Sequence, residues 1–334
     1  MPAAGFDLDR LWLRSLRTVN LSIHTIADPL RLGASGPQAL ALLARWRPSV
    51  IFTTGGYLAM PVLAAAALLR VPSVLWEGNL VAGRSVRATA RLATAIAVSF
   101  EETAGALPGR TFVTGTPIRA LAGLDKHAAR QALKLPVEMP NILVFGGSQA
   151  VRRLNDAVSE ALPHLIQTVS VVHVCGDAGY AAALARQQAL PAELRNRYRP
   201  FRYLADEMGQ ALAAADLLVG RAGSSTLAEA CALGLPMVVV PYPHAGAHQE
   251  RNAERLARAG AARLIPDREF DAAALLDAAS VLTDEPALTA MRAAARRFGR
   301  PGAADAVAEL VLALAERRPL PSQADIDRLA RGDA

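Results

Sequence analysis

The sequence predicts an α/β protein made of two halves, each a parallel sheet with helices packed on it. Short apolar, β-branched segments alternate with longer segments rich in Ala, Leu and Arg along the 334 residues, a pattern typical of successive βαβ units. The length is sufficient for two domains of ordinary size, each with its own core. Turn residues and charges concentrate between residues 115 and 140, which places the break between the two halves there.

The apolar segments place four strands in each half. They cover residues 49–53, 73–76, 94–99, 111–114, 141–145, 170–175, 216–219 and 236–240. The predicted domains are residues 1–118 and residues 119–315. The remaining segment, 316–334, is expected to form a C-terminal helix packed on the first domain or to end as a tail.

Composition and charge narrow the class of function. The formal net charge of +6 favours an acidic partner such as a nucleotide, a polyphosphate or an anionic membrane surface. Aromatic residues make up only 5% of the chain and do not alternate with basic residues, so no nucleic-acid partner is expected. The longest uncharged apolar segment, Leu58 to Leu69, is shorter than the roughly 18–20 residues of a membrane span and fits a buried helix.

The cysteines and the N-terminus bear on cofactors and location. Cys175 and Cys231 are far apart and have no neighbours at metal-ligand spacing, so we expect buried free thiols, no metal and no cofactor. Asp7, Asp9 and Arg10 interrupt any apolar segment near the N-terminus. No secretory leader is therefore predicted, and the expected location is the cytosol.

The most informative segment is Arg221–Glu229, Arg-Ala-Gly-Ser-Ser-Thr-Leu-Ala-Glu. It follows a predicted strand and opens a predicted helix, so free backbone N–H groups and the positive end of a helix dipole converge on one point. This arrangement favours phosphate. Glu229 would repel phosphate, but its carboxylate suits the vicinal hydroxyls of a ribose. The segment therefore predicts a nucleotide site.

Three other polar or Gly-rich corners follow predicted strands, at residues 53–57, 145–149 and 241–252. A single Gly-Gly at a strand end is more often a tight turn than a ligand site. The carboxyl ends of parallel strands, however, meet at one edge of a sheet, where ligands bind. Among the histidines, His173 lies in a predicted strand and is expected to be satisfied by a neighbour rather than to act as a base. His244 and His248 lie in the polar corner and are candidates for ligand contact.

Several short motifs occur in a fixed order between residues 16 and 315. They are 54–57 (Thr-Gly-Gly-Tyr), 72–79 (Pro-Ser-Val-Leu-Trp-Glu-Gly-Asn), 97–100 (Ala-Val-Ser-Phe), 115–119 (Gly-Thr-Pro-Ile-Arg), 146–149 (Gly-Gly-Ser-Gln) with Asn155, 221–229, and 248–249 (His-Gln) with Asn252. In this order they resemble the MurG family, the bacterial N-acetylglucosaminyltransferases that convert lipid I to lipid II in peptidoglycan synthesis.

The resemblance implies a GT-B fold, with two Rossmann-like doubly wound domains facing a cleft. The first domain would bind the lipid acceptor at the membrane and the second would bind the donor. The implied reaction transfers N-acetylglucosamine from UDP-N-acetylglucosamine (UDP-GlcNAc) to the 4-hydroxyl of lipid I, undecaprenyl-diphospho-N-acetylmuramoyl peptide, with inversion at the anomeric carbon. The implied partners are therefore UDP-GlcNAc, lipid I and an anionic membrane surface.

The resemblance also implies roles for individual residues. Arg119 and Ser148 match contacts to the donor diphosphate, Asn79 a residue near the transferred sugar, and Gln249 a contact to a sugar hydroxyl. Glu229 matches the ribose-binding carboxylate. The nucleotide loop comprises Ser224, Ser225, Thr226, Leu227, Ala228 and Glu229, and further candidate contacts are Gly147, Gln149, His248 and Asn252.

The chain departs from the family pattern near its start and after the second strand. The family opens with a strand and a Gly-Gly-Thr-Gly-Gly-His-type loop that has no counterpart here, so the first domain is expected to be N-terminally truncated. The family's His-Glu-Gln-Asn is Trp76-Glu77-Gly78-Asn79 in this chain. Because direct displacement needs a base for the acceptor proton, Glu77 is the candidate catalytic residue.

The expected attachment to the cytoplasmic face of the cell membrane is peripheral. Arg14, Arg17 and Arg31 stand near the apolar residues Ile26 and Leu30, and basic side chains near an anionic surface each contribute about 1 kcal/mol. Large apolar residues are frequent in the family at two positions that are Gly33 and Gly36 here. Docking is therefore expected to be weaker or built differently.

Two alternatives to the transferase remain open at this point. One is another GT-B enzyme that uses a UDP-sugar, either a lipid glycosyltransferase or an epimerase. The other is a truncated protein that binds the donor without turnover, because the loop that would hold the acceptor is not found in the sequence. Binding of UDP-GlcNAc without conversion of lipid I would favour the second alternative.

Overall fold

The computed structural model describes residues 5–13, 23–146, 152–243 and 248–333, with the backbone alone described for residues 23–32. The chain divides into two compact units, Met1–Gly115 with Ala304–Ala334, and Thr116–Ala303. The described strands are β1 Ile51–Thr53, β2 Ser73–Glu77, β3 Ala95–Val98, β4 Thr111–Val113, β5 Asn141–Phe145, β6 Ser170–Val174, β7 Tyr198–Phe201, β8 Leu217–Gly220, β9 Met237–Val239 and β10 Ala262–Leu264.

Helices connect most of these strands and follow the last one. They are α1 Ile23–Trp46, α2 Ala59–Leu69, α3 Arg84–Thr89, α4 Glu101–Ala106, α5 Lys126–Ala132, α6 Arg152–Thr168, α7 Gly176–Ala189, α8 Met208–Ala214, α9 Ser224–Leu233, α10 His248–Arg258, α11 Ala272–Ala279, α12 Glu285–Phe298, α13 Ala303–Ala315 and α14 Gln323–Arg331. Within the described ranges, no helix combines the length and the apolar character needed to cross a bilayer.

The first unit is built on a parallel sheet of β1, β2, β3 and β4 in chain order. Successive side chains of a strand point to opposite faces. Leu75 and Ile96 therefore pack in one layer, with side chains from α2 and α3. Val74 and Ala97 pack in the other layer, with side chains from α13 and α14. Both faces of the sheet are covered, as expected for a parallel sheet.

The two C-terminal helices belong to the first unit. Leu310 of α13 and Ile326 of α14 are fully buried against the sheet. The side-chain amide of Gln323 also pairs with the edge strand, accepting from the N–H of Val113 at 3.0 Å and donating to its carbonyl oxygen at 3.2 Å. The predicted second domain extended to residue 315, whereas α13 lies in the first unit because its apolar face covers that sheet.

The second unit has a six-stranded parallel sheet in the order β10-β9-β8-β5-β6-β7. The chain runs outward from β5 to β7, then returns to place β8 on the other side of β5 and continues outward to β10. The reversal leaves a crevice at the carboxyl ends of β5 and β8, where ligands bind in doubly wound folds. Gly220 ends β8 at this point, and a Cβ there would lie 2.5 Å from the carbonyl oxygen of Phe145.

The predicted strands are all present, but β7 and β10, the two edge strands of the second sheet, were not predicted from the sequence. Their sequences, Tyr-Arg-Pro-Phe and Ala-Arg-Leu, are short and contain arginine or proline. Edge strands tolerate such residues because one side of the strand has no neighbouring strand to pair with. An apolar pattern strong enough to predict them is therefore lacking.

Candidate functional site

The loop after β8 delivers the chain into α9 at the crevice of the second unit. The first hydrogen bond of the helix joins the N–H of Leu227 to the carbonyl oxygen of Gly223 at 3.0 Å. The amides of Ser224, Ser225 and Thr226 therefore have no acceptor within the helix. Together with the helix dipole they provide a site suited to a phosphate, as the sequence predicts.

Glu229 lies one turn further along α9 and forms an ion pair with Arg119. The Nε of Arg119 donates to Oε1 of Glu229 at 2.7 Å, across 110 positions of sequence. The side chain of Glu229 is 8% exposed and that of Arg119 is 40% exposed. The carboxylate is therefore fixed in the protein, whereas the arginine reaches it from a partly open position. Arg119 and Glu229, which were predicted to contact the diphosphate and the ribose of one donor, are therefore in contact with each other.

The same guanidinium makes a second contact that the sequence did not suggest. Nη1 of Arg119 donates to the carbonyl oxygen of Ala205 at 2.8 Å. Ala205 lies in the connection between β7 and α8. Because its contact is made by the backbone, the residue type carries no information about it. The Glu229 carboxylate and the Ala205 carbonyl oxygen are thus two acceptors that hold the Arg119 guanidinium.

A second polar network lies at the ends of β8, β9 and β10. Arg221 is buried and pairs with the carboxylate of Asp267, while its Nη1 donates to the carbonyl oxygen of Val240 at 3.0 Å. The ring of Tyr242 lies over the guanidinium at 5.5 Å from its centroid. Arg221 was predicted as part of the nucleotide segment, whereas Asp267 and this network were not predicted from the sequence.

A cavity of about 710 Å³ opens beside this network. Its described lining includes Arg221, Tyr242, Asp267 and Arg153, and Arg153 pairs with Asp267 at 3.2 Å. Neither Arg119 nor Glu229 is among the described lining residues. The cavity is therefore adjacent to the Arg221–Asp267 network, and the Arg119–Glu229 pair is not part of its described lining.

The polar corner after β9 carries the predicted sugar contact. Gln249 lies in the first turn of α10, and its Oε1 accepts from the backbone N–H of Tyr242 at 2.9 Å. His248 begins the same helix and Asn252 is fully buried in it. The predicted residues Gly147, Ser148, Gln149 and His244 lie outside the described residues.

Glu77 and Asn79 lie together at the end of β2, in the first unit. Oε1 of Glu77 accepts from both the backbone N–H and the side-chain amide of Asn79, each at 2.9 Å. Oε2 of Glu77 accepts from the N–H of Gly83 at 2.8 Å. Glu77 therefore shapes the loop and orients the Asn79 amide. Its role as general base stays a prediction, and these contacts favour a positioning role.

The structure confirms that His173, a strand residue, is satisfied by neighbouring side chains, which come from β7 and α6. Its Nδ1 lies 2.9 Å from the Tyr198 hydroxyl and its Nε2 lies 2.9 Å from Oδ1 of Asn155. The Asn155 amide donates to the carbonyl oxygen of Cys175, so its Oδ1 is the acceptor for Nε2–H, and Tyr198 donates to Nδ1. Burial, aided by the positive charge of Arg186, lowers the pKa of His173 to about 3.

Acidification is expected to destabilise the protein through His173. The unfolded state takes up a proton below about pH 6.5, whereas the folded state does not until about pH 3, so unfolding becomes favoured as the pH falls between these values. At pH 5 this group lowers the free energy of unfolding by about 2 kcal/mol relative to its value at pH 8. Urea denaturation followed by circular dichroism across this range measures it.

The control for this pH effect is the exposed His164 of α6. His164→Gln should leave the loss of stability unchanged, whereas His173→Gln should remove most of it, although it also lowers stability at pH 8. An equal pH dependence in the parent and in His173→Gln would show that the histidine is not held neutral in the fold.

Neither cysteine has the character of a reactive or metal-binding group. Burial raises the pKa of Cys231 to about 12 and raises that of Cys175 as well. Both are free thiols, as predicted. In the part of the chain that the structure describes, no three His, Cys, Asp or Glu side chains are grouped as metal ligands would be.

Comparison with known proteins identifies the family. Residues 5–98 match the glycosyltransferase family 28 N-terminal domain and residues 141–308 match the glycosyltransferase family 28 C-terminal domain. The UDP-N-acetylglucosamine–N-acetylmuramyl-(pentapeptide) pyrophosphoryl-undecaprenol N-acetylglucosamine transferase of Moorella thermoacetica is 38% identical over 329 residues, 95% of this chain and 87% of the relative. The crystal structure of Acinetobacter baumannii MurG superposes with a TM-score of 0.70 at 29% identity, covering 85% of this chain and 79% of that one.

The chain belongs to the MurG family. It is a glycosyltransferase, and the predicted GT-B fold class is confirmed. A UDP-GlcNAc 2-epimerase from Neisseria meningitidis superposes with a TM-score of 0.60 at 15% identity, covering 89% of this chain and 84% of the epimerase. That likeness is one of fold alone. Family membership therefore favours the MurG transferase over the epimerase alternative.

Proposed function

We propose that this MurG-family protein transfers N-acetylglucosamine from UDP-GlcNAc to the 4-hydroxyl of lipid I, with inversion, to form lipid II for peptidoglycan synthesis. The observation that carries the proposal is the Arg119–Glu229 pair at the first turns of α9, in a chain 38% identical to a transferase of that name. A buried carboxylate next to free helix amides suits ribose beside phosphate, and therefore a nucleotide donor.

The nucleotide is proposed to bind by displacing Arg119 from Glu229. The vicinal ribose hydroxyls donate to Glu229 in place of the guanidinium, which leaves Arg119 free to turn toward the diphosphate. A fixed arginine fork is well suited to phosphate oxygens. Ser148 and the first amides of α9, from Ser224 to Thr226, are proposed to share the diphosphate charge. The same groups stabilise UDP as it leaves, which is electrostatic catalysis by prearranged donors.

The remaining predicted residues are proposed to act on the sugar and the rest of the nucleotide. Gln249 contacts a hydroxyl of the transferred sugar, and Asn79 lies near that sugar during the reaction. Leu227 and Ala228 complete the nucleotide loop with Glu229. His248, Asn252, Gly147 and Gln149 are proposed as supporting positions of the same donor site.

The dependence of kcat/KM on pH distinguishes the two candidate roles of Glu77, general base and positioning residue. We expect Glu77→Gln to lower kcat/KM about tenfold, because its new NH₂ group would face the N–H of Gly83 in place of an acceptor. The acidic limb of the pH–rate profile should remain. Loss of that limb in Glu77→Gln would instead make Glu77 the base. Glu101→Gln, an exposed change at the start of α4, is the control and should change neither quantity.

The protein is proposed to attach peripherally to the anionic cytoplasmic membrane surface. In the described part of the first unit, Arg84, Arg87 and Arg91 are exposed beside the exposed Leu92. The residues first predicted for this role, Ile26 and Leu30 with Arg14, Arg17 and Arg31, have no described side chains. Basic side chains beside apolar ones suit an anionic lipid surface.

Membrane attachment is expected to depend on these arginines and on salt. Arg87→Gln should lower partitioning onto phosphatidylglycerol vesicles roughly fivefold, because one arginine contributes about 1 kcal/mol. Binding should weaken further in 1 M salt, where the Debye length is about 3 Å. Cosedimentation measures both effects, with Arg251→Gln in the second unit as control. Equal binding to vesicles of zwitterionic, net-neutral phosphatidylcholine would contradict an electrostatic attachment.

Turnover tests the proposed function directly. The protein, UDP-GlcNAc and a soluble lipid I analogue are expected to give UDP and a β-1,4-linked disaccharide product, with UDP-glucose a poor substitute. Binding of UDP-GlcNAc without product at any enzyme concentration would support the donor-binding alternative. Comparable turnover of UDP-glucose would point to a different glycosyltransferase.

A further inference from the structure

Arg221 links the chain at the ends of three adjacent strands. It follows β8 directly, it donates to the carbonyl oxygens of Val240 and Pro241 after β9, at 3.0 and 3.5 Å, and it pairs with Asp267 after β10. Its side chain is 7% exposed. A buried guanidinium with several acceptors in fixed positions is strongly orienting, because each lost contact would leave a buried donor or acceptor unsatisfied.

One peptide group connects Arg221 to Gln249. The carbonyl oxygen of Pro241 accepts from Arg221, and the N–H of the same peptide, which belongs to Tyr242, donates to Oε1 of Gln249 at 2.9 Å. The ring of Tyr242 also lies over the guanidinium. Arg221 therefore contacts both the carbonyl oxygen of that peptide and the ring of Tyr242, and the N–H of the same peptide orients the Gln249 amide.

The contact also determines how Gln249 can bind. Because its carbonyl oxygen is directed at the Tyr242 N–H, the NH₂ group is the end of the amide directed away from that contact and available to donate to a ligand. An NH₂ donor recognises an oxygen lone pair, such as that of a sugar hydroxyl. Without the Tyr242 contact, the amide could turn over and present an acceptor instead. The network therefore sets the polarity of the sugar contact.

We propose that Arg221, held by Asp267, is a positioning residue that presents the Gln249 amide as a donor to the transferred sugar. The proposal rests on the proposed function for the identity of the ligand, and on the observed contacts for the role of Arg221. It separates two parts of the donor: Arg221 governs recognition of the sugar, whereas Arg119 and Glu229 govern recognition of the nucleotide.

The test compares UDP-GlcNAc with UDP, which lacks the sugar. Arg221→Lys keeps a charge beside Asp267 but cannot also serve the carbonyl oxygens of Val240 and Pro241. By calorimetric titration we expect it to weaken UDP-GlcNAc binding about tenfold and UDP binding less than twofold. Gln249→Ala should give the same pattern, and the double variant should be no weaker than either single variant. Equal losses of affinity for UDP-GlcNAc and UDP would overturn the proposal. So would a double variant whose loss of affinity for UDP-GlcNAc is the product of the two single-variant losses.

A ligand-free measurement keeps the proposal distinct from the proposed function. In protein labelled with ¹⁵N-glutamine, the Gln249 side-chain NH₂ signals, assigned by their loss in Gln249→Ala, should be dispersed in the parent and move to random-coil positions in Arg221→Lys. Asp267→Asn should shift them in the same direction, and Arg263→Lys, at an exposed ion pair with Asp277, should not. Unchanged signals in a folded Arg221→Lys would refute the positioning role, even if neither ligand binds.

Discussion

Replacing Glu229 by alanine is expected to lower kcat/KM for UDP-GlcNAc by at least about 100-fold. The carboxylate is proposed to accept two ribose hydroxyls, and hydrogen bonds to a charged group contribute about 1.5–3 kcal/mol each. The loss also removes the counter-ion that holds Arg119 in the free protein. Steady-state kinetics with varied UDP-GlcNAc, alongside calorimetric titration of UDP, measures the effect on turnover and on binding.

The control for Glu229 is Glu254→Gln in α10. Glu254 pairs with Arg251 and Arg258 on the surface of the same unit, and exposed pairs contribute little to stability. It should leave kcat/KM within twofold of the parent. If Glu229→Ala kept UDP affinity within threefold while remaining folded, the ribose would bind elsewhere and the nucleotide site would be wrongly placed.

Replacing Arg119 by methionine is expected to weaken UDP and to tighten uridine. UDP should bind about 30-fold more weakly, because its diphosphate loses a charge-assisted partner. Uridine has no phosphate, and in the parent it must displace Arg119 from Glu229 at a cost of about 1 kcal/mol for a partly exposed pair. Without the arginine, uridine should bind roughly fivefold more tightly. Calorimetric titration of both ligands measures the two changes.

Opposite changes in the affinities for UDP and uridine distinguish displacement of Arg119 by the ribose from simple damage to the site. A general loss of structure would weaken both uridine and UDP. Arg251→Met, at an exposed pair on α10, is the matched control and should change neither affinity. Weaker uridine binding in a folded Arg119→Met variant would rule out competition between the arginine and the ribose.

Much of the second unit and part of its site followed from the sequence. The apolar, β-branched segments gave β5, β6, β8 and β9, and the small residues before Glu229 predicted a strand, a loop and a helix with free amides. A lone carboxylate among apolar neighbours also implied a partner. These features depend on local chemistry and chain order, which a single sequence displays directly.

The partner of Glu229 was not predicted, because the resemblance assigned Arg119 to the diphosphate and Glu229 to the ribose. Arg119 lies 110 positions from Glu229, and the chain has many exposed arginines of similar context. Ala205 acts through its backbone carbonyl, and Asp267 lies in a connection that looks like any polar turn. Such contacts depend on the crossing of β8 beside β5 and on edge strands too short to be recognised, so they emerge only from the fold.

Glu77 illustrates a different difficulty. The sequence offered a carboxylate where a base is needed, but it could not reveal that Asn79 and Gly83 fill both of its oxygens. Those donors come from the turn that follows β2, whose path no local pattern specifies. A titratable residue type at a suitable position is thus weaker support for catalysis than its hydrogen-bond partners.

A structure of the protein with bound UDP-GlcNAc tests the exchange at Glu229 most directly. We predict that the ribose hydroxyls lie within hydrogen-bond distance of the Glu229 carboxylate, and that the Arg119 guanidinium has left Glu229 and Ala205 for the diphosphate. A nucleotide bound with the 2.7 Å Arg119–Glu229 contact intact, and its ribose elsewhere, would contradict it.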